Sequence, residues 1–305
     1  MHVDLYVTIA GLLVGFVVGL TGMGGGALMT PVLVLLFGVQ PLAAVSSDLV
    51  ASMIMKPVGG AVHLRRGRVN KQLVGWLVLG SVPSAFCGVL LIKAFGNGEQ
   101  VQSLVKVSLG VALLLAVAMM VVRAVLDIKQ RSRPQDPASL RVRPVPTLVV
   151  GILGGLVVGM TSVGSGSLII VALLMLYPAL KAGDLVGTDL VQAVPLVASA
   201  ALGHLLFGDF QLGLTASILI GSLPGVYLGA RASASAPSWF VRRAIAVVLL
   251  ASALKLLDVP TAAVGVVLIA VVVLGPIAWK QIRIALLSRA TSPSGRTVEP
   301  VGGSR

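Results

Sequence analysis

The sequence has 305 residues, of which 57% are apolar types and 11% are charged. An ordinary water-soluble domain is about 25% charged and about 45–50% apolar, so a soluble globule, a disordered chain and a disulfide scaffold are all disfavoured and an integral membrane protein remains. Lys and Arg number 23 against 10 Asp and Glu, a formal charge of +13; in a soluble chain that excess would point to nucleic acid, but here it has to be read by position.

In chain order, Met1-His2-Val3-Asp4 has no basic segment, and the apolar stretch behind it runs well past a signal-peptide core, so no cleavable signal is expected. Leu5 to Ser47 is 43 residues without Asp, Glu, Lys, Arg or His. A helix crosses the hydrocarbon in about 20 residues, so this run folds back or breaks, and 5–38 reads as a broken hairpin. Single spans follow at 42–64, 72–95 and 101–126. Asp127 to Pro146 is polar and contains Pro, as expected of a linker. Pro144 to Leu180 is a second charge-free run, of 37 residues, and 147–178 reads as a second broken hairpin. Further spans are expected at 183–206, 211–230 and 239–257, then a ninth element at 260–280. Thr291 to Arg305 is rich in Ser, Pro and Gly and reads as a disordered tail. The apolar blocks are continuous rather than alternating, which favours helices over a barrel. Cys87 is the single cysteine, so there is no intrachain disulfide and no Cys/His metal cluster, and no cofactor is expected.

The chain repeats itself. Gly19-Leu20-Thr21-Gly22-Met23-Gly24-Gly25-Gly26 returns 140 positions later as Gly159-Met160-Thr161-Ser162-Val163-Gly164-Ser165-Gly166. At a spacing of 141, Asp48-Leu49-Val50 pairs with Asp189-Leu190-Val191, His63-Leu64 with His204-Leu205, and Gly80-Ser81, Pro83 and Gly88 with Gly221-Ser222, Pro224 and Gly229. Ordered matches of scarce residue types do not arise readily by chance in Leu- and Val-rich sequence. The expected organisation is a first transmembrane repeat (1–126), a cytoplasmic linker (127–146), a second repeat (147–257), an additional C-terminal helix (258–290) and the tail (291–305). Each repeat is a glycine-broken hairpin plus three transmembrane helices.

Basic loops mark the cytoplasmic side. Arg65, Arg66, Arg68 and Lys71 form one cluster, Lys129 to Arg143 a second, Arg231, Arg242 and Arg243 a third, and Lys280, Arg283 and Arg289 a fourth. The helix count puts all four on one side, with the N-terminus outside and the C-terminus in the cytoplasm. The loop after His63 is basic, whereas its counterpart Leu205 to Phe210 has no Lys or Arg. Equivalent loops with opposite bias predict an all-α polytopic membrane protein built from two inverted-topology repeats, an architecture suited to alternating access.

The candidate site residues follow from that plan. Gly22, Gly24, Gly25 and Gly26 interrupt one apolar run, and Ser162, Gly164, Ser165, Gly166 and Ser167 interrupt the equivalent one. Broken backbone at membrane depth is tolerated where it lines a cavity or is buried in protein. Half-helices starting at Ala27 and Ser167 would aim their positive ends at the breaks and favour an anion; tight packing through small residues is the competing reading. Thr21 and Thr161 flank the breaks, and Ser47, Thr188 and Gln192 flank the aspartates as further polar candidates. Asp48 and Asp189 read either as helix caps or as coupling carboxylates that hold the breaks. Lys56 lies mid-span and its counterpart is Val197; it faces a cavity and binds an anion or pairs with Asp48, or it snorkels to the interface. His63 and His204 read as interfacial residues or proton relays. Pro83 and Pro224 are expected to kink equivalent helices. No Walker loop, nucleophile elbow or paired metal ligands appear, so an enzyme is not expected.

The glycine motifs, the Asp-Leu-Val blocks and His63-x3-Gly67 with His204-x3-Gly208 resemble the TauE/SafE (TSUP) family of sulfite and organosulfonate exporters, over about residues 5–257. The resemblance implies a bacterial or archaeal inner-membrane permease for a small sulfur-containing anion such as sulfite, thiosulfate, sulfoacetate, sulfolactate or taurine. Ser162 and Ser165 depart from an all-Gly motif, and their hydroxyls can donate to a sulfonate or sulfite oxygen. A secondary transporter driven by a gradient, with proton or sodium as coupling ion, is the expected function; a non-enzymatic anion channel is the alternative. The lipid bilayer is the expected environment, with no nucleic-acid partner and no oligomeric state specified.

Overall fold

A computed structural model describes residues 4–21, 25–65, 69–96, 98–131, 142–178, 182–232 and 238–291. Gly22 and Gly24 of the first break, Arg66, Gly67 and Arg68 of the basic loop, 132–141 of the linker and 292–305 of the tail lie outside the described residues, and the side chain of His63 is not described. The described chain is helical: α1 (Leu5–Thr21), α2 (Gly26–Leu36), α3 (Pro41–Arg65), α4 (Lys71–Ala94), α5 (Glu99–Arg131), α6 (Pro144–Thr161), α7 (Leu168–Leu176), α8 (Ala182–Phe207), α9 (Leu212–Ala232), α10 (Ser238–Leu256) and α11 (Thr261–Thr291). No strand occurs among the described residues; Gly164 and Gly166 form one isolated bridge. Six helices, namely α4, α5, α6, α8, α9 and α11, are long and apolar enough to cross a membrane. This is an all-α, multi-pass membrane protein.

Local chemistry sets the boundaries. The Asn70 side chain accepts from the amides of Gln72 and Leu73, each at 3.1 Å, and caps α4. Pro41 and Pro144 open α3 and α6, where a missing N–H costs nothing. α5 runs past the predicted span end at 126 to Arg131, since a polar surface lets a helix continue beyond the apolar layer. The two half-helices begin at Gly26 and Leu168, one residue from each predicted start. Pro83 and Pro224 both lie inside their helices.

The halves interleave. α1 packs along α9, and α6 along α4. Gly11 faces Ile218, Gly15 faces Ser222, and Gly19 faces Val226 and Ala230. The numbers rise together, so α1 and α9 run in the same direction. Gly80 faces Leu148 and Ile152, and Gly88 faces Leu156 and Met160, so α4 and α6 also run together. α3 and α8 run oppositely: Ser46 near the start of α3 meets His204 and Asp209 near the end of α8, while Asn70 beyond α3 meets Thr188 near the start of α8.

Three apolar clusters fill the interior. One joins α3, α4, α7 and α8, including Leu49, Leu77, Leu173 and Leu196. A second joins α5 and α10 through Leu109, Leu113, Leu249 and Leu256. A third joins α1, α2, α3 and α9 through Val7, Leu33, Ala51 and Ile218. α11 is almost wholly exposed at its apolar residues, Val266, Ile269 and Leu274 among them, as expected of a lipid-facing helix.

Candidate functional site

The site is built on the second break, between α6 and α7. Ser162 closes α6 in the left-handed region (φ 60°), and Gly164 (φ 132°) and Gly166 (φ 95°) continue the irregular path. Glycine is what makes the last two conformations accessible without strain. The amides of Ser167, Leu168 and Ile169 all turn to the Gly164 carbonyl, at 3.4, 3.0 and 3.4 Å. Residues 161–166 are buried. The start of α2 comes against this segment: a Cβ added to Gly26 would lie 2.1 Å from the Ser162 carbonyl oxygen. The first half-helix therefore begins in contact with the second break.

Three charged residues surround the break. Asp48 Oδ2 accepts from Ser162 Oγ at 2.5 Å and from Thr30 Oγ1 at 3.1 Å, tying α3 to the break and to α2. Lys56 Nζ donates to Ser165 Oγ at 2.5 Å. Asp189 Oδ1 accepts from Gln192 Nε2 at 3.0 Å, and the Gly166 amide faces the same carboxylate. Gln192 in turn accepts from Ser81 Oγ at 3.3 Å, which links α8 to α4. Lys56 is near enough to both aspartates to interact electrostatically with each, and Arg123 of α5 interacts with Asp189. Both aspartates are buried, at 2% and 1% exposure. Charges this deep need compensation in place, because solvent supplies none.

Other expected site residues make bonds of their own. The Thr21 hydroxyl bonds back to Val17 O at 2.8 Å, and that of Thr161 to Val157 O at 2.6 Å. Thr161 Oγ1 also accepts from the Val163 amide at 3.2 Å, within the break. The Ser47 hydroxyl accepts from the Gln211 amide, and the Thr188 hydroxyl from the Asn70 amide, each at 3.4 Å, at opposite ends of the α3–α8 pair. Ser167 is the N-cap residue of α7, with no side-chain capping bond. Gly25 caps α2, with Met55 as its neighbour.

His204 is fully buried near the end of α8. Its Nε2 lies 2.8 Å from the Gly159 carbonyl, which only accepts, so Nε2 donates. Its Nδ1 lies 2.8 Å from Ser46 Oγ, which also accepts from the Asp209 amide. The imidazole thus ties α8 to both α3 and α6.

Sequence reasoning missed Thr30, Ser81 and Arg123. Arg123 carried a usable signal, as an ionisable residue inside an apolar span. Ser81 was visible as part of the repeated Gly-Ser pair. Thr30 had no pattern to mark it. Among the described residues no group of three or more His, Cys, Asp or Glu is placed to hold a metal ion.

The arrangement is a half-buried cation on a hydroxyl-bearing helix break with two buried carboxylates near it, in a multi-pass membrane protein. The sequence profile described as "Sulfite exporter TauE/SafE" matches residues 7–256. The probable membrane transporter protein YjnA of Bacillus subtilis (strain 168) is 38% identical over 252 residues, covering 82% of this chain and 98% of the relative. The probable membrane transporter protein YdhB of the same organism is 25% identical over 234 residues, covering 76% of this chain and 91% of the relative. No solved structure matches significantly. The chain belongs to the TauE/SafE family and is a membrane transporter, not an enzyme.

Proposed function

We propose that this transporter moves a small sulfur-containing anion, such as sulfite, thiosulfate or an organosulfonate, across a bacterial or archaeal inner membrane by alternating access. The anion sits at the second break. Lys56 supplies its positive charge, Ser162 and Ser165 supply hydroxyl donors, and Gly164 and Gly166 let the backbone come close. Gly26 lets the start of α2 come against the same break. Asp48 holds the break, and His204 holds the helices around it.

The observation that carries this reading is the Lys56–Ser165 contact. An ammonium held against a broken, hydroxyl-bearing segment favours an anion. The two repeats are read as inverted, with the N-terminus outside and the C-terminus in the cytoplasm. In support, α3 and α8, made equivalent by the repeat, run oppositely.

Flux of labelled sulfite, thiosulfate, isethionate and taurine in proteoliposomes tests the proposal. Saturable uptake with counterflow is expected for at least one of them. Lys56→Gln should weaken its apparent affinity by about 10–100-fold, since a hydrogen bond to a charged group contributes about 1.5–3 kcal/mol. No flux of any of these anions would overturn the substrate class, and an undiminished Lys56→Gln would overturn the site. Flux that neither saturates nor shows counterflow would indicate a channel.

A further inference from the structure

Asp48 and Asp189 are equivalent in the repeat, yet their surroundings differ. Asp48 Oδ2 receives two hydroxyls, from Ser162 and Thr30. The counterpart of Ser162 is Gly22, and that of Thr30 is Ile170 or Val171, so Asp189 has no equivalent hydroxyls. Its Oδ1 is used by Gln192, but its Oδ2 is buried with no hydrogen-bond partner among the described residues. The charged groups acting on it are Lys56 on α3, which Asp48 of the same helix also faces, and Arg123 on α5. α6 and α7 carry no titratable residue. On α4, Lys71 and Lys93 lie at the two ends and Cys87 is exposed. On α8 itself, Asp184 precedes by five residues, and His204 is occupied with Ser46 and Gly159.

We propose that Asp189 is both the resident counter-ion of Lys56 and the proton carrier of the transport cycle. The inference rests on the reading of Lys56 as the anion-binding cation. In the empty site half-buried Lys56 is shared by the two buried carboxylates, and half-buried Arg123 acts on Asp189. A monoanion arriving on Lys56 leaves one excess negative charge where the effective dielectric is low. A proton taken from water onto Asp189 Oδ2 offsets that charge, and that oxygen can accept it without giving up a hydrogen bond. On Asp48, by contrast, Oδ2 is committed to the hydroxyls that clamp α2, α3 and the break together. Anion and proton therefore load together and leave together, one proton with each anion.

The test uses proteoliposomes of the full-length protein with an enclosed pH dye, supplied with labelled isethionate or thiosulfate, whose charges are constant near neutral pH. Each isethionate should enter with one proton and ignore membrane potential, whereas thiosulfate with one proton should remain electrogenic. In Asp189→Asn, accumulation driven by an acid exterior and the accompanying proton signal should fall to the level of protein-free vesicles, and Asp189→Glu should restore both. Proton flux that persists in Asp189→Asn overturns the assignment. Wild-type counterflow without any proton signal overturns this proposal alone and leaves the anion site standing. Wild-type protein that exchanges neither anion overturns the Lys56 reading and this one with it.

Discussion

Two kinds of seam hold the bundle together. Along α1/α9 and α4/α6, backbone meets backbone: a Cβ on Gly15 would lie 2.6 Å from Ser222 O, and one on Gly159 would lie 2.1 Å from Ala85 O. Around the break and along α3/α8, contact is made by side chains instead, as Ser162 to Asp48, Lys56 to Ser165 and His204 to Ser46. The first kind is dry, close and chemically inert. The second consists of hydrogen bonds that can be exchanged for bonds to a ligand or to water. Each glycine seam joins a helix of one half to a helix of the other, so the halves cannot separate as rigid blocks without tearing the tightest packing in the molecule. Alternating access would therefore have to carry α1 with α9, and α4 with α6, as units.

The largest effect should come from filling a glycine seam. A Cβ on Gly221 would lie 1.9 Å from the Thr8 carbonyl oxygen, and backbone cannot yield as a side-chain tip does. Overpacking a well-packed interior costs about 1–3 kcal/mol and occasionally more, and Gly221→Leu should reach the upper end. Loss of the monodisperse peak in size-exclusion chromatography is the expected result. A normal elution profile and melting temperature would show that α1 and α9 are not so closely joined.

A covalent tie separates the two seams by function rather than stability. In a Cys87→Ala background, Ser46→Cys with Gly208→Cys places a disulfide across the polar seam, where the Gly208 Cβ position is 2.6 Å from Ser46 Oγ. Ser84→Cys with Gly155→Cys places one inside the α4/α6 seam, where the corresponding distance is 2.2 Å. Oxidation should arrest uptake in the first variant and reductant should restore it. In the second, oxidised and reduced forms should transport alike. Equal arrest in both would mean that α4 and α6 also slide during transport.

Much of this was legible in the sequence, for identifiable reasons. Long charge-free runs and scarce charged residues marked the helices, the breaks and the group Asp48, Lys56 and Asp189. The half-helix starts came out within a residue, because glycine density and the return of apolar sequence bracket them closely. The interleaving was not read, since a repeat shows which elements are equivalent and not which are neighbours. Its signal was nevertheless present in small residues four apart: Gly11, Gly15 and Gly19, Gly151, Gly155 and Gly159, Gly221, Gly225 and Gly229. Thr30 and the burial of His204 were beyond reach because both depend on contacts between distant segments. A histidine near a helix end looks exposed until a neighbouring helix covers it.

The smallest effect sharpens the comparison most. Gly265 in α11 is also a helical glycine in apolar sequence, yet an added Cβ there would meet nothing within 4 Å. Glycine in a helix interior is less favourable than alanine by roughly 0.5–1 kcal/mol, so Gly265→Ala should leave transport unchanged and raise the melting temperature slightly. Gly15→Ala adds the same methyl group with the same propensity gain, but aims it at the Ser222 backbone. The propensity term is common to both variants, so the difference between their melting temperatures isolates the cost of the close approach. A lower melting temperature for Gly15→Ala alone assigns that glycine to packing. Equal shifts would mean that its absence of a side chain reflects only tolerance, and the rigidity attributed to the α1/α9 pair would lose its basis.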